Sequence, residues 1–216
     1  MTESASGIIL RTRPLTETSL IIHWLSPNFG RLATVAKGAR RAKSPYAGKL
    51  DLFYEADFSF SRSRSSELHT LREVQLRKTN SALREDISKL RQAAYAAALV
   101  VQTTETETPL PVVFKLLGTL LASLCAHEPL PQLIFAFELK MLHELGLEPD
   151  WSEAKLSVGA QKIISALIQR NFDGVFGLKL ADSQASELRQ FLHGFMVYHL
   201  GKVPPGRAQA LMTTHE

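Results

Sequence analysis

Cysteine is almost absent: Cys125 stands alone among 216 residues. One thiol excludes an internal disulfide framework and any zinc site that needs two or four cysteines of this chain. With no apolar leader at the N-terminus, it sets the expectation of a reducing, cytoplasmic location. Long apolar runs are missing too. The longest, Val112–Ala126, is fifteen residues and contains Lys115, too short for a membrane span and suited to a buried helix.

Catalytic signatures are also lacking. His127-Glu128 and His143-Glu144 begin as a metalloprotease helix does, but the second histidine's places hold Pro131 and Leu147. Gly48-Lys49 runs into Leu50 and Gly201-Lys202 into Val203, so no phosphate-cradling loop is formed. Neither Gly-x-Gly-x-x-Gly nor Gly-x-Ser-x-Gly occurs. The seven histidines are scattered and read as surface or core-edge residues, and Cys125 reads as a buried, inert thiol. The expectation is a binding protein, not an enzyme, without metal or cofactor.

What is present is an ordinary globular composition, 45 % hydrophobic and 21 % charged, with a mean hydropathy of −0.03. Its charge is unevenly spread. Residues 1–80 hold 13 Lys/Arg against 7 Asp/Glu, a net of +6, and residues 81–216 hold 12 against 14, a net of −2. Such asymmetry points to a polyanion-binding module joined to something else.

The pattern before Lys78 is β. Ile8–Leu10 opens a strand that Pro14 is expected to break. Ser19–Leu25 and Arg31–Lys37, joined by the turn residues Ser26–Gly30, predict a hairpin. Leu52–Phe60 alternates with a period of two, and Glu67–Lys78 makes a fifth strand. Five strands with a long connection after the third match an OB-type barrel, with an SH3-like or other small barrel as the alternative.

After Asn80 the period becomes 3.6. Leu83, Ile87, Leu90, Ala94, Ala97 and Val101 fall on one stripe, with Asn80 or Ser81 as the expected N-cap. Pro109-Leu110-Pro111 and Pro129-Leu130-Pro131 mark two more helix starts, an echo too brief to establish a repeat. Ser157–Arg170 and Ser183–His199 add further helices. The fold class is therefore α+β: a five-stranded OB-fold β-barrel over 1–79, then an all-α helical bundle over 80–216.

The chemistry lies in the basic loops. Arg31, Lys37, Arg40, Arg41, Lys43 and Lys49 fall in nineteen residues without an acid. Tyr46 and Phe29 are aromatics placed to stack on bases. Arg11 and Arg13 flank the turn after the first strand, and Arg62 and Arg64 sit between the fourth and fifth. In an OB-fold those two loops grip oligonucleotides. Six phosphate contacts to single-stranded DNA predict a slope of log K on log salt of about −4. Nothing encodes base-edge readout, so binding should tolerate any sequence.

Arg13-Pro14-Leu15-Thr16-Glu17-Thr18-Ser19-Leu20, Gly30-Arg31, Val35-Ala36-Lys37-Gly38-Ala39-Arg40-Arg41, and Gly48 with Leu50 resemble the bacterial recombination mediator family RecO. So do Phe137-Glu138-Leu139, Leu142 with Leu145–Pro149, and, more faintly, Tyr198–Gly201 with Arg207. The resemblance covers most of the chain in order and loosens after about residue 150. It implies an OB domain followed by a helical domain, in a cytoplasmic, nucleoid-associated protein. Implied too are binding to single- and double-stranded DNA, annealing of complementary strands, and action with RecR to help load RecA on DNA coated by single-stranded DNA-binding protein. That protein's C-terminal tail would meet the helical domain, for which Lys115 and Lys140 are candidate cations.

Many members of that family carry a four-cysteine zinc module where Asp150-Trp151-Ser152-Glu153 stand here. A zinc-free member is expected, stabilised locally by packing of Trp151, Phe172 and Phe176; stoichiometric zinc in the purified protein would overturn this. Two rival classes use the same features: an OB-fold RNA-binding protein, and a protein-interaction scaffold whose basic loops meet an acidic partner.

Overall fold

The computed structural model describes residues 2–147 and 156–212. By its contacts the chain divides into Met1–Asn80 with Thr104–Gly118, and Ser81–Thr103 with Thr119–Glu216.

The first unit is built on five strands: β1 (Thr2–Pro14), β2 (Leu20–Ser26), β3 (Gly30–Ala36), β4 (Glu55–Ser61) and β5 (Leu68–Lys78). They close in the order β1-β2-β3-β5-β4, with β3 and β5 parallel and all other pairs antiparallel. This is an OB-type barrel. Every second residue of β3 and β4 is buried, as a one-sided strand requires. In the core, Trp24 stacks on Phe58 at 4.1 Å, and its indole N–H donates to Thr34 Oγ1 at 2.9 Å. Ile9, Ile22, Phe60 and Leu71 fill the rest.

β1 begins at Thr2, six residues before Ile8, and two other strand boundaries also differ from expectation. β1 runs on through Pro14, which pairs with Leu20, because a strand's last residue can lack an N–H without breaking the ladder inside it. Leu52–Tyr54 is not strand: Phe53 takes φ +63° and reverses the chain before β4. Its N–H donates to Ile9 O at 2.8 Å, while Tyr54 O accepts from Ile9 N–H at 2.9 Å.

The segment before the second helix belongs to the barrel unit. Glu107 N–H donates to Arg31 O, and Leu110 N–H to Pro27 O. At the head of β3, Gly30 has φ +63°, and a Cβ there would lie 1.8 Å from Thr108 O. Gly30→Ala is therefore expected to cost about 2 kcal/mol or more, from left-handed strain plus a backbone clash. Far-UV melting curves should show the transition about 5–10 °C lower; an unchanged midpoint would mean that residues 104–108 do not rest on Gly30.

The remaining elements are α1 (Ile87–Thr103), α2 (Pro111–Ala126), α3 (Pro131–Glu144), α4 (Val158–Gln169), the short α5 (Phe172–Val175), α6 (Asp182–Leu200) and α7 (Arg207–Ala210). Proline opens α2 and α3, where its missing N–H is harmless. The cap and stripe expected for α1 need correction. Leu83 lies in a separate 3₁₀ turn, Ser81–Arg84, and Asp86 Oδ1 caps α1 by accepting from Ser88 N–H at 2.7 Å. The helix buries Tyr95, Leu99 and Val100 and exposes Ile87, Ala94 and Val101. α1 is apolar nearly all round, and the face that goes inward is the one on which Gln92 and Tyr95 find buried partners.

That face meets a buried polar network. The Arg207 guanidinium grips Glu138 through Nε at 2.7 Å and Nη2 at 2.9 Å, and the Tyr95 hydroxyl donates to Glu138 Oε1 at 2.6 Å. Burial opposes the charge on Arg207, yet the carboxylate outweighs it and holds its pKa above the ordinary arginine value. Burial and the same carboxylate push the Tyr95 hydroxyl well above the usual tyrosine range. Of the aromatics expected to replace a zinc module, Phe172 is buried and Phe176 half-buried against His127; Trp151 lies outside the described residues.

Candidate nucleic-acid interface

The outer face of β1, β2 and β3 is set by one extra residue. Ile9 pairs with Trp24 and Arg11 with His23, so Leu10 is a bulge. Ile9 and Trp24 both face the core. Strict alternation would turn Arg11 and Arg13 inward with Ile9. The bulge shifts the parity by one. Thr12 then opposes the buried Ile22, while the exposed Arg11 and Arg13 oppose His23 and Ile21 outside. The β2–β3 register continues these rows as Arg11–His23–Ala33 and Arg13–Ile21–Val35.

Where β3 ends, the chain enters the basic connection. Arg40 N–H donates to Thr18 O at 3.0 Å and its guanidinium to Thr16 O at 3.2 Å. These bonds hold residues 37–43 beside the β1–β2 turn. A cleft of about 410 Å³ lies between them, lined by Leu15, Thr16, Thr18, Val35, Lys37 and Arg41. Among the described residues no carboxylate pairs with Arg11, Arg13, Lys37, Arg41 or Lys43. A sheet face and its rim thus carry uncompensated positive charge over half-buried, uncharged side chains.

The other sequence candidates are bonded within the fold or lie apart from this cleft. Arg31 is half-buried and donates to Thr104 Oγ1 at 2.9 Å and to Thr104 O at 2.5 Å. Burial lowers its pKa, against the opposing charge of Glu105. Arg62 bonds Glu3 Oε1 at 2.8 Å and Glu107 Oε2 at 2.5 Å, and its hydrogen bond holds the Glu3 carboxyl below the usual range. Its guanidinium also lies 6.0 Å from the Phe29 ring. That places Arg62 at the head of β3, about 20 Å along the strand from Lys37. Arg64, exposed, shares its loop. Lys49 is half-buried beside a separate cavity of about 700 Å³, with Asn28, Tyr46 and Arg72.

Neither expected stacking aromatic is available. The Tyr46 hydroxyl donates to Leu71 O and Arg72 O, both at 3.1 Å, and its ring joins the core. Phe29 meets Phe60 edge-on at 5.5 Å.

His23, not among the sequence candidates, stands half-buried in the middle of the face. Its signal was present: it alternates with Ile22 and Trp24 and so had to point outward. Burial, then the charges of Arg13, Arg11 and Arg31, lower its pKa below the ordinary histidine value. Glu107, at φ +54° and likewise not among the candidates, pairs with Arg62 and accepts from His69 Nε2 at 3.0 Å. His69 Nδ1 accepts from Ser63 N–H at 3.3 Å, which fixes this tautomer.

A thiolate zinc site does not fit this chain. Cys125 is its one cysteine, half-buried on α2, and burial pushes the thiol's pKa up. Among the described residues no group of three or more His, Cys, Asp or Glu could hold a metal. No helix among them is long and apolar enough to cross a membrane. Lys140, a candidate for binding an acidic tail, donates to Ile168 O at 2.5 Å and so ties down the end of α4.

Comparison with known proteins agrees with the barrel and with the helices that follow it. The model of the recombination protein O N terminal matches residues 1–80, and that of the recombination protein O C terminal matches residues 84–154. The DNA repair protein RecO of Alkaliphilus metalliredigens is 34 % identical over 144 residues, covering 66 % of this chain and 58 % of that protein. Its namesake in Listeria monocytogenes serotype 4b is 31 % identical over 147 residues, covering 68 % and 57 %. That of Myxococcus xanthus is 31 % identical over 154 residues, covering 71 % and 63 %. The match spans less than two thirds of the length of these relatives.

Proposed function

We propose that this chain, which belongs to the recombination protein O (RecO) family, binds single- and double-stranded DNA without sequence preference and serves repair and recombination as a mediator. The observation that carries this reading is the uncompensated positive face around Arg11, Arg13, Lys37, Arg41 and Lys43. Arg40, although bonded to Thr16 O, is exposed at the same rim. Arg64 adds charge at the other end of β3, while Arg31 and Arg62 are bonded within the fold and Lys49 lines a separate cavity. Residues 1–79 are the DNA-binding module and 80–216 the partner-binding region.

A cationic face can neutralise two phosphate backbones together, reduce their repulsion and let complementary strands meet. Catalysis is not required for this. In the cell the reading places the protein in the cytoplasm on the nucleoid. There RecR would be its partner in helping RecA displace single-stranded DNA-binding protein, whose acidic tail would dock on the helical region.

Annealing of complementary oligonucleotides coated with single-stranded DNA-binding protein tests the reading. Addition of this protein should speed duplex formation at least about tenfold at low salt. No acceleration would remove the mediator function. Competition by structured RNA that displaces DNA completely would favour an RNA-binding role instead.

A further inference from the structure

His23 stands in the centre of the outer face with a basic neighbour on either side. Arg11 lies directly across from it on β1 and Ala33 across from it on β3; Arg13 is the diagonal neighbour. The charged groups that bear on it are Arg11 and Arg13 from β1 and Arg31 from β3. On β2 itself the flanking residues of this face, Ile21 and Leu25, do not titrate. Burial and these three guanidinium charges, with no acid against the imidazole among the described residues, favour its neutral form in the free protein.

We propose that His23 is a direct contact for the nucleic-acid backbone and takes up a proton as the polyanion binds. The proposal rests on the reading of this face as a DNA interface and adds a residue and a proton to it. A phosphate seated against Arg11 and Arg13 offsets two of the three charges that oppose protonation. It also offers an oxygen to the imidazolium N–H, and a charge-assisted hydrogen bond favours the charged form. The complex then holds more protons than the separate molecules. Affinity must therefore rise as pH falls, by at most one decade per unit for one proton.

Fluorescence anisotropy with a labelled oligothymidine at fixed ionic strength reads this directly. Wild type should bind about tenfold more tightly near pH 6 than near pH 8. His23→Gln should lose that dependence, and His23→Arg should bind tightly at both values. Calorimetry in two buffers of different ionisation heat should show proton uptake by wild type on binding, a readout that stands even if a variant folds poorly. Equal pH dependence in wild type and His23→Gln, or binding without proton uptake, would overturn the proposal while leaving the DNA interface intact. No binding by wild type at any pH and low salt would instead remove the interface, and this contact with it.

Discussion

Lys37→Glu combined with Arg41→Glu is expected to weaken oligonucleotide binding about a hundredfold at roughly 0.1 M salt. Each phosphate contact to a single strand contributes about 0.7 decades there through counterion release, so losing two removes about 1.4. Reversing the charges adds repulsion to that loss. Both side chains are exposed at the rim of the cleft between the β1–β2 turn and the basic connection, and neither is tied to an acid. The fold should not suffer, and the melting midpoint should hold steady because such surface positions carry little stability. The salt slope should fall from about −4 to about −3 as the contact count drops from six to four. Affinity within threefold of wild type would place the DNA elsewhere. The same reversal at Arg31 would be a poorer test, because that guanidinium is bonded to Thr104 and its loss would loosen residues 104–108.

The second large effect concerns stability. Arg207→Met leaves Glu138, fully buried, with the Tyr95 hydroxyl but without its guanidinium. Removing one partner of a buried ion pair costs about 3–5 kcal/mol, chiefly the penalty of an uncompensated charge. Glu138→Gln added to Arg207→Met removes that charge while keeping a carbonyl acceptor for Tyr95, so most of the loss should return. Chemical denaturation of the two variants and wild type checks this. A double variant as unstable as Arg207→Met alone would mean that the network acts through shape and not through charge.

The barrel could be read from the chain because alternation with a period of two is a local property: Leu20, Ile22 and Trp24, or Ala56, Phe58 and Phe60, show their buried face without help. The bulge could not. Ile8, Ile9 and Leu10 are apolar without interruption and all buried, so no period betrays the extra residue that turns Arg11 and Arg13 outward. Basic loops are likewise visible as composition, but which cations are spoken for depends on distant acceptors. Arg31 finds Thr104, 73 residues away, and Arg62 finds Glu3 and Glu107. Glu138 and Arg207, each within a stretch that resembles the family, meet across 69 residues; only folding pairs them. The buried face of α1 is hidden in the sequence because its apolar residues encircle the helix, and the choice of face then falls to partners for Gln92 and Tyr95.

The account turns on a positive face that holds a phosphate backbone. Its most direct test is the affinity of the full chain for a plain single-stranded oligonucleotide across a salt series. With Arg11, Arg13, Lys37, Arg40, Arg41 and Lys43 engaged, log K should fall linearly with log salt at a slope of about −4. A slope near zero, or no binding at low salt, would contradict it.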